Sequence, residues 1–135
     1  MQKGENCIVF EQDYIMRLIK NMITMTLKIF CDIDTKSPCM ELLENEQSKN
    51  ILSELIELID YGQINEAENK LFKIYESKNK DYLKLALLFY SHLNEKDDDF
   101  LEKNNFTRDE IKVGLKDIMS MYGLSNFARV LLQDI

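Results

Sequence analysis

Few residues in the sequence have the types and spacing that catalysis or metal binding requires. The only histidine, His92, falls on the apolar side of a helical pattern, with no serine, cysteine or second metal ligand at a useful spacing. Nucleophilic catalysis needs a base beside a serine or cysteine, and carboxylate-bridged metal bundles need inward-facing Glu-x-x-His pairs. The sequence therefore predicts a protein that is not an enzyme, needs no cofactor and holds no metal, with a structural role for His92.

The cysteines and the sharpest acidic cluster also predict no metal site. Cys7, Cys31 and Cys39 do not have the spacing of zinc ligands, so reduced thiols are expected, with a Cys31–Cys39 disulfide as the less favoured alternative. Residues 95–99 (EKDDD) lack the alternating ligands and closing glutamate of a calcium loop. They predict a solvated connection in which Asp97 or Asp98 caps a short helical turn that buries Phe100 and Leu101.

A narrow basic face marks the first strong helical segment, residues 13–30. On a helical wheel Arg17, Lys20 and Lys28 share this face, and apolar side chains fill the rest of the circumference. Three interpretations of the segment are open: a central core helix, a helix half in the core and half in a dimer interface, or an amphipathic helix on a membrane surface. Charges interrupt the segment too often for a membrane span. The three basic residues are a candidate interaction surface.

Length and composition predict one helical domain over residues 1–135, with residues 1–10 poorly ordered. The chain has 135 residues, one proline, four glycines and a formal net charge of −7. Such a composition favours an all-α fold. Nucleic-acid binding needs a basic face, so an acidic chain is not expected to bind nucleic acid.

Residues 51–93 organise the expected fold, because two apolar-periodic segments meet there at a tight turn. Gly62 ends the first helix in a conformation that glycine adopts at little cost. Asn65 is expected to cap the second helix, with Glu68 reaching back to it as in a capping box. Ala67 and Leu71 give the second helix its inner face.

The spacing of Gly62 and Ala67, with Leu71 following, resembles the helical hairpin of the tetratricopeptide repeat. The resemblance implies antiparallel helical hairpins in a degenerate array, closed by N- and C-terminal helices, although an unrelated antiparallel helix pair would show a similar pattern. It also implies a groove lined by residues 51–60 and 82–93, where a partner segment would lie. Acidic surroundings would favour a basic partner.

Local signals place the boundaries of the remaining elements. Ser37 and Pro38 look like the start of a helix, a break is expected near Gln47, and whether residues 38–61 form one helix or two is left open. Residues 77–80 are expected to form a turn, and Asp81 is expected to cap a helix that is apolar nearly all round.

The C-terminal part shows a capping box and a further cap. Thr107 and Glu110 form the box, with Phe106 and Ile111 as a hydrophobic staple. Gly114 lies inside this helix, where a neighbouring element is expected to approach closely. Ser125 is expected to cap a last helix with its inward residues at Phe127, Val130 and Leu131.

Taken whole, residues 11–135 resemble a set of small uncharacterised helical proteins of Gram-positive bacteria. The resemblance rests on the segment QDYIMRLI at residues 12–19 and on the Gly-then-Asn-Glu-Ala-Glu hairpin at residues 62–68. It implies a helical fold and a cytoplasmic location, and it implies no activity.

The sequence thus predicts a non-catalytic protein–protein interaction module with a tetratricopeptide-like groove. The alternatives are a self-associating, homodimeric structural protein and, less favoured, a helical bundle that binds a small ligand.

Overall fold

The computed structural model describes residues 3–75 and 80–133, with side chains from residue 12 to 75 and from 81 to 133. Over these ranges the chain is all-α, without a β-strand, as the composition predicts. It forms seven α-helices and one short 3₁₀ helix at Met40–Leu42. The α-helices are α1 (Lys3–Phe30), α2 (Glu46–Asp60), α3 (Ile64–Lys73), α4 (Lys80–Asn94), α5 (Asp98–Lys103), α6 (Arg108–Met121) and α7 (Ser125–Leu131).

Helix α4 is the centre of the fold. It contacts α1, α2 and α6, and residues 82–90 are all buried. This confirms the prediction of a well-buried helix, but it has a consequence for the expected groove between residues 51–60 and 82–93. Because residues 82–90 are buried, most of this stretch fills the core, and only side chains at its start, in residues 82–85, also line surface depressions in the described part of the chain.

Helix α1 covers one side of this core. Its buried apolar side chains, in the part whose side chains are described, are Ile19, Met22, Ile23 and Leu27, while Ile29 and Phe30 are exposed at its end. The helix also contacts α6 and α7. It begins ten residues before the predicted segment, and the expectations of one domain over residues 1–135 and of poor order in residues 1–10 stay predictions.

Helices α2 and α3 contact each other across a three-residue connection that contains Gly62. Gly62 has a φ of 85°, and Ala67 and Leu71 are fully buried. The expected role of Asn65 is wrong, because Gln63 is the N-cap residue and makes no side-chain capping bond. Asn65 therefore falls in the first turn of α3, where its side chain is exposed.

Glu68 does not belong to a capping box but to a contact between α3, α4 and α6. Tyr90 of α4 donates a hydrogen bond of 2.6 Å from Oη to Oε2 of Glu68. A Cβ at Gly114 of α6 would lie 2.1 Å from the Tyr90 Oη and 2.8 Å from the Glu68 Oε2. Tyr90 therefore lies against α6 at Gly114, which confirms the expected close approach of a neighbouring element.

The connection between α1 and α2 differs in part from its prediction. Ser37 and Pro38 start no α-helix, and the short 3₁₀ helix follows them. Helix α2 begins at Glu46 with Asn45 as its N-cap residue, one residue before the predicted break near Gln47. Residues 38–61 are thus a 3₁₀ helix and a separate α-helix.

Asp81 is not an N-cap residue either, because α4 already begins at Lys80. Its carboxylate instead accepts a 3.0 Å hydrogen bond from the backbone N–H of Asn45, at the start of α2. The expected turn at residues 77–80 rests on residues 76–79, which lie outside the described residues.

The junction of α4, α5 and α6 is held by the guanidinium group of Arg108, whose exposed fraction is 2%. It donates hydrogen bonds to the backbone carbonyls of Asn94 and Lys96 at 2.8 and 2.6 Å and pairs with Asp98 at 3.1 Å. Asp97 caps α5 by accepting from the N–H of Phe100, which confirms the predicted cap.

The capping box of α6 is confirmed, with both bonds between Thr107 and Glu110 present. The prediction for α7 is wrong in two respects. Leu124 rather than Ser125 is the N-cap residue, and it makes no side-chain bond. Val130 is 68% exposed, while Ala128 and Leu132 face the core.

Candidate binding site

A cleft of about 880 Å³ opens where the end of α1, the start of α2, the first turn of α4 and the connection between α6 and α7 meet. Its lining divides into an apolar part and a charged part. Phe30, Leu83 and Leu124 are apolar. The charged side chains are Asp32, Glu44, Asp81 and Lys84, and Cys31, Asn45 and Tyr122 complete the lining.

The apolar side of the cleft is fixed by the end of α1. The Phe30 ring contacts the ring of Phe127 edge to face, with 5.0 Å between the ring centroids. Beyond it the chain turns sharply, since Asp32 has a φ of 59° and the N–H of Ile33 bonds to the carbonyl of Leu27 at 2.9 Å. This turn carries the Asp32 carboxylate to the rim, where it is exposed.

The charged side of the cleft is organised by Lys84, a lysine that is only 7% exposed. Its Nζ lies 3.3 Å from Oδ1 of Asp81, 3.6 Å from Oε2 of Glu44 and 3.3 Å from the carbonyl oxygen of Leu42. A buried ammonium group is tolerated only when it is paired and hydrogen-bonded, and these three oxygens meet that need. Lys84 therefore joins α4 to the segment that precedes α2.

Asp81 keeps its negative charge in this arrangement. Partial burial alone would raise the pKa of its carboxyl group, but the hydrogen bonds from the Asn45 N–H and from Lys84 outweigh burial and lower the pKa. The cleft is thus lined by one ammonium group and three carboxylates, two of which, those of Asp32 and Glu44, are exposed. The cleft keeps an excess of negative charge at neutral pH.

Tyr122 adds a neutral hydroxyl to the cleft. Burial is the main cause that raises its pKa to about 12, and Tyr75 and Cys31 add to the effect. The hydroxyl therefore stays protonated at neutral pH. The ring also lies edge to face against Tyr75, at 6.1 Å between centroids.

The remaining residues singled out for chemistry lie elsewhere. His92 is at the contact of α2 and α4, where its Nε2 is 2.8 Å from Oδ1 of Asp60, and Lys96 Nζ approaches the same oxygen at 2.6 Å. Partial burial would raise the pKa of Asp60, but the bonds from His92 and Lys96 lower it. The result is a partly exposed polar cluster in which Lys96 pairs with Asp60 and His92 shares the same carboxylate oxygen.

The described side chains include no metal-binding cluster. Within residues 12–75 and 81–133, no group of three or more His, Cys, Asp or Glu side chains is placed to hold a metal ion. Cys31 and Cys39 are not joined by a disulfide, and the side chain of Cys7 lies outside the described residues. Nor is any described helix long and apolar enough to cross a membrane.

Arg17, Lys20 and Lys28 do come together. They lie along one exposed side of α1 and, with Lys36 of the following loop, line a second depression of about 400 Å³. The three residues that were predicted from their shared face therefore form one basic surface, separate from the cleft.

Sequence reasoning missed the cleft itself, because its residues come from four separate segments. One local signal was present. Lys84 interrupts an apolar run from Leu83 to Tyr90, and a lysine in a buried helix must have a partner. Asp81, three residues earlier on the same helix face, is placed by its spacing to be that partner. Asp32 and Glu44 carried no comparable signal.

These features define an all-α protein with an acidic, partly apolar cleft. The chain matches the model of a family of unknown function, DUF6483, over residues 9–123, and it belongs to that family. No curated protein and no solved structure matches the chain. The membership confirms the expectation of an uncharacterised family, whereas the Gram-positive origin and the tetratricopeptide likeness stay predictions.

Proposed function

We propose that the protein is a non-catalytic protein–protein interaction module and that its cleft binds a basic segment of a partner protein. The observation that carries the proposal is the combination of three carboxylates with an apolar side in one open cleft. Charged groups of opposite sign steer and orient a partner, while apolar side chains supply most of the binding free energy.

The charge of the cleft selects the kind of partner. Lys84 is already paired with Asp81, Glu44 and a carbonyl oxygen. It is therefore not expected to attract an acidic partner to the cleft. The exposed carboxylates of Asp32 and Glu44 are within reach of an incoming lysine or arginine. A segment in which basic and apolar side chains alternate satisfies both sides of the cleft.

The α2–α3 hairpin supports the same class of function. Its turn at Gly62 and its buried Ala67 are the features that resemble the tetratricopeptide repeat, a fold that binds peptide segments. In this proposal the hairpin is a scaffold rather than the groove, since the start of α4, at Asp81, Leu83 and Lys84, lines the cleft while the rest of that helix fills the core.

The test is a fluorescence anisotropy titration with a labelled twelve-residue peptide of alternating lysine and leucine. Neutralising the rim with Asp32→Asn and Glu44→Gln should weaken binding about tenfold, since each lost charge contact contributes up to about 1 kcal/mol. Asparagine suits the positive φ of residue 32, so the fold should be retained.

A matched variant separates the cleft from general acidity. Glu54→Gln with Glu57→Gln changes the net charge equally, on the exposed side of α2. It should change the dissociation constant by less than about twofold. Equal weakening by both double variants, or no binding of the peptide to the unaltered protein, would contradict the proposal.

Self-association is a second candidate function, supported by exposed apolar side chains on α1 and α7. Ile29, Phe30 and Val130 are 52%, 43% and 68% exposed. Light scattering over a range of concentrations should then give the mass of a dimer, and Ile29→Glu should reduce it to that of a monomer. Ile23, on the apolar arc of the same helix, is unsuitable for this test. It is only 1% exposed and lies in the monomer core, so a charge there would destabilise the fold itself.

A further inference from the structure

A second surface of opposite charge runs along the outer side of α1. Its first wall is α1 itself, with Arg17, Lys20 and Lys28, and its second wall is the loop that contains Lys36. The remaining lining consists of Asn21, Thr24, Met25, Asp34 and Thr35. We call this surface the basic groove.

The basic groove concentrates positive charge in a chain whose formal net charge is −7. It contains four cationic side chains and the single carboxylate of Asp34. Arg17 has an exposed partner in Asp13 at 3.5 Å. Among the described side chains, no carboxylate lies within ion-pair distance of Lys20, Lys28 or Lys36.

The dimensions of the basic groove fit a short length of polypeptide. From Arg17 to Lys28 an α-helix rises about 16 Å, which corresponds to about five residues of extended chain. The depression is open, with the helix on one side and the loop on the other, so an extended chain can lie along it between them. The flat surface of a membrane would not follow this depression between helix and loop.

We propose that the basic groove binds an acidic segment of a partner protein in an extended conformation. Its carboxylates pair with Lys20, Lys28 and Lys36, and its backbone lies over Asn21, Thr24 and Met25. A peptide of this length experiences mainly the charges within about 8 Å, the screening length at physiological salt. A long nucleic acid would also experience the acidic remainder of the molecule.

The proposal is tested by anisotropy titration with a fluorescein-labelled eight-residue peptide in which glutamate alternates with serine. The protein should bind this peptide, and the same peptide with glutamine in place of glutamate should not bind. Lys20→Glu with Lys28→Glu should weaken binding at least about tenfold, because each substitution removes an attraction and adds a repulsion.

Lys70→Glu with Lys103→Glu is the matched control. Both pairs change the net charge equally. Lys70 and Lys103 lie in the last turns of α3 and α5, whereas only Lys28 of the test pair lies in a last turn. The control therefore removes at least as much favourable charge from helix C-termini as the test pair does. The control should leave the dissociation constant within about twofold of the original, and circular dichroism should show that both variants are folded.

Three results would overturn the proposal. The acidic peptide fails to bind the unaltered protein, or both double variants weaken binding equally. Alternatively, anionic phosphatidylserine vesicles bind the protein through Lys20 and Lys28 while the peptide does not, which would assign the surface to a membrane. Since the peptide of alternating lysine and leucine is bound at a different surface, its binding should be unchanged in the variants of the basic groove.

Discussion

At the scale of single residues, Glu68 shows how tertiary contacts override a local motif. Its spacing from Asn65 is that of a capping box, and the sequence alone gives no reason to place it elsewhere. The structure turns its carboxylate toward Tyr90, beside Gly114. A capping bond and a hydrogen bond from the buried Tyr90 compete for the same side chain, and only the position of α4 decides between them.

The environment of Glu68 makes the stability of the protein depend on pH. Burial raises the pKa of its carboxyl group above the ordinary value of 4.5, against the effect of the Tyr90 hydrogen bond. The nearby carboxylates of Glu110 and Asp117 raise it further. The folded state therefore holds this proton more tightly than the unfolded state, and stability falls as pH rises from 4.5 through the raised pKa.

We expect Glu68→Gln to stabilise the protein at pH 7 and to change its stability little at pH 4. The amide oxygen still accepts the Tyr90 hydrogen bond, while the cost of ionisation disappears. Urea unfolding at a series of pH values measures the difference, with the exposed Glu66→Gln as the matched control. A loss of stability at pH 7, or an equal effect at both pH values, would contradict this account.

Arg108 is the residue whose role the sequence least revealed. The capping box around it was readable, because Thr107 and Glu110 are three residues apart, and the structure confirms it. The same pattern suggests that Arg108 is a solvated residue of the first turn. Its 2% exposure results from the end of α4 and the connection that follows, where the carbonyl groups of Asn94 and Lys96 accept its hydrogen bonds.

We expect Arg108→Met to cost about 2–4 kcal/mol of unfolding free energy, because it leaves the carbonyl oxygens of Asn94 and Lys96 without their hydrogen-bond donor. Chemical denaturation measures the cost. Arg129→Met, at an exposed position of α7, should cost less than about 0.5 kcal/mol. Similar values for the two variants would show that the α4–α5 connection does not depend on the guanidinium group.

At the scale of elements, α2, α5 and α6 end in the same way. The residue after each C-cap has a positive φ: Gly62 at 85°, Asn105 at 56° and Gly123 at 73°. After α2, the N–H of Gln63 bonds to the carbonyl of Leu58 and the N–H of Gly62 to that of Ile59, both at 2.8 Å. This pair of bonds is the Schellman motif.

The two glycines allow conformational strain to be separated from steric contact. A Cβ at Gly123 would meet nothing within 4 Å, whereas a Cβ at Gly62 would lie 2.3 Å from Oδ1 of Asn104. Gly123→Ala should therefore cost about 1–2 kcal/mol from its positive φ alone. Gly62→Ala should cost more, because Asn104 must also move away from α2. Thermal unfolding of both variants checks the order, and the reverse order would contradict it.

Much of the secondary structure could be predicted from local signals. The glycine that ends α2, the cap at Asp97 and the buried face of Ala67 and Leu71 are all short-range features. The errors fall where two signals compete within a few residues. Ser125 and Asn65 have good capping chemistry, but packing begins each helix one or two residues earlier.

At the scale of the whole molecule, the sequence could not decide which helix is central. Both the segment of residues 13–30 and α4 are apolar over a wide arc, so periodicity ranks them equally. In the structure α4 contacts α1, α2 and α6, while α1 leaves Ile29 and Phe30 exposed. The order of helices in space depends on their connections, which carry no periodic signal.

The same reasoning explains the candidate sites. The basic groove could be predicted in part, because Arg17, Lys20 and Lys28 share one side of a single helix. The cleft could not, since Asp32, Glu44 and Asp81 meet only after α1, α2 and α4 have packed. A site on one element is visible in the sequence, whereas a site between elements requires the fold.

The most direct test of the central claim is a ¹H–¹⁵N NMR titration of the labelled protein with the peptide of alternating lysine and leucine. The account predicts that shifts concentrate at the amides that surround the cleft, in residues 30–32, 44–45, 81–84 and 122–124. Shifts confined to the basic groove, or an unchanged spectrum at millimolar peptide, would contradict the assignment of the cleft as the binding site for a basic segment.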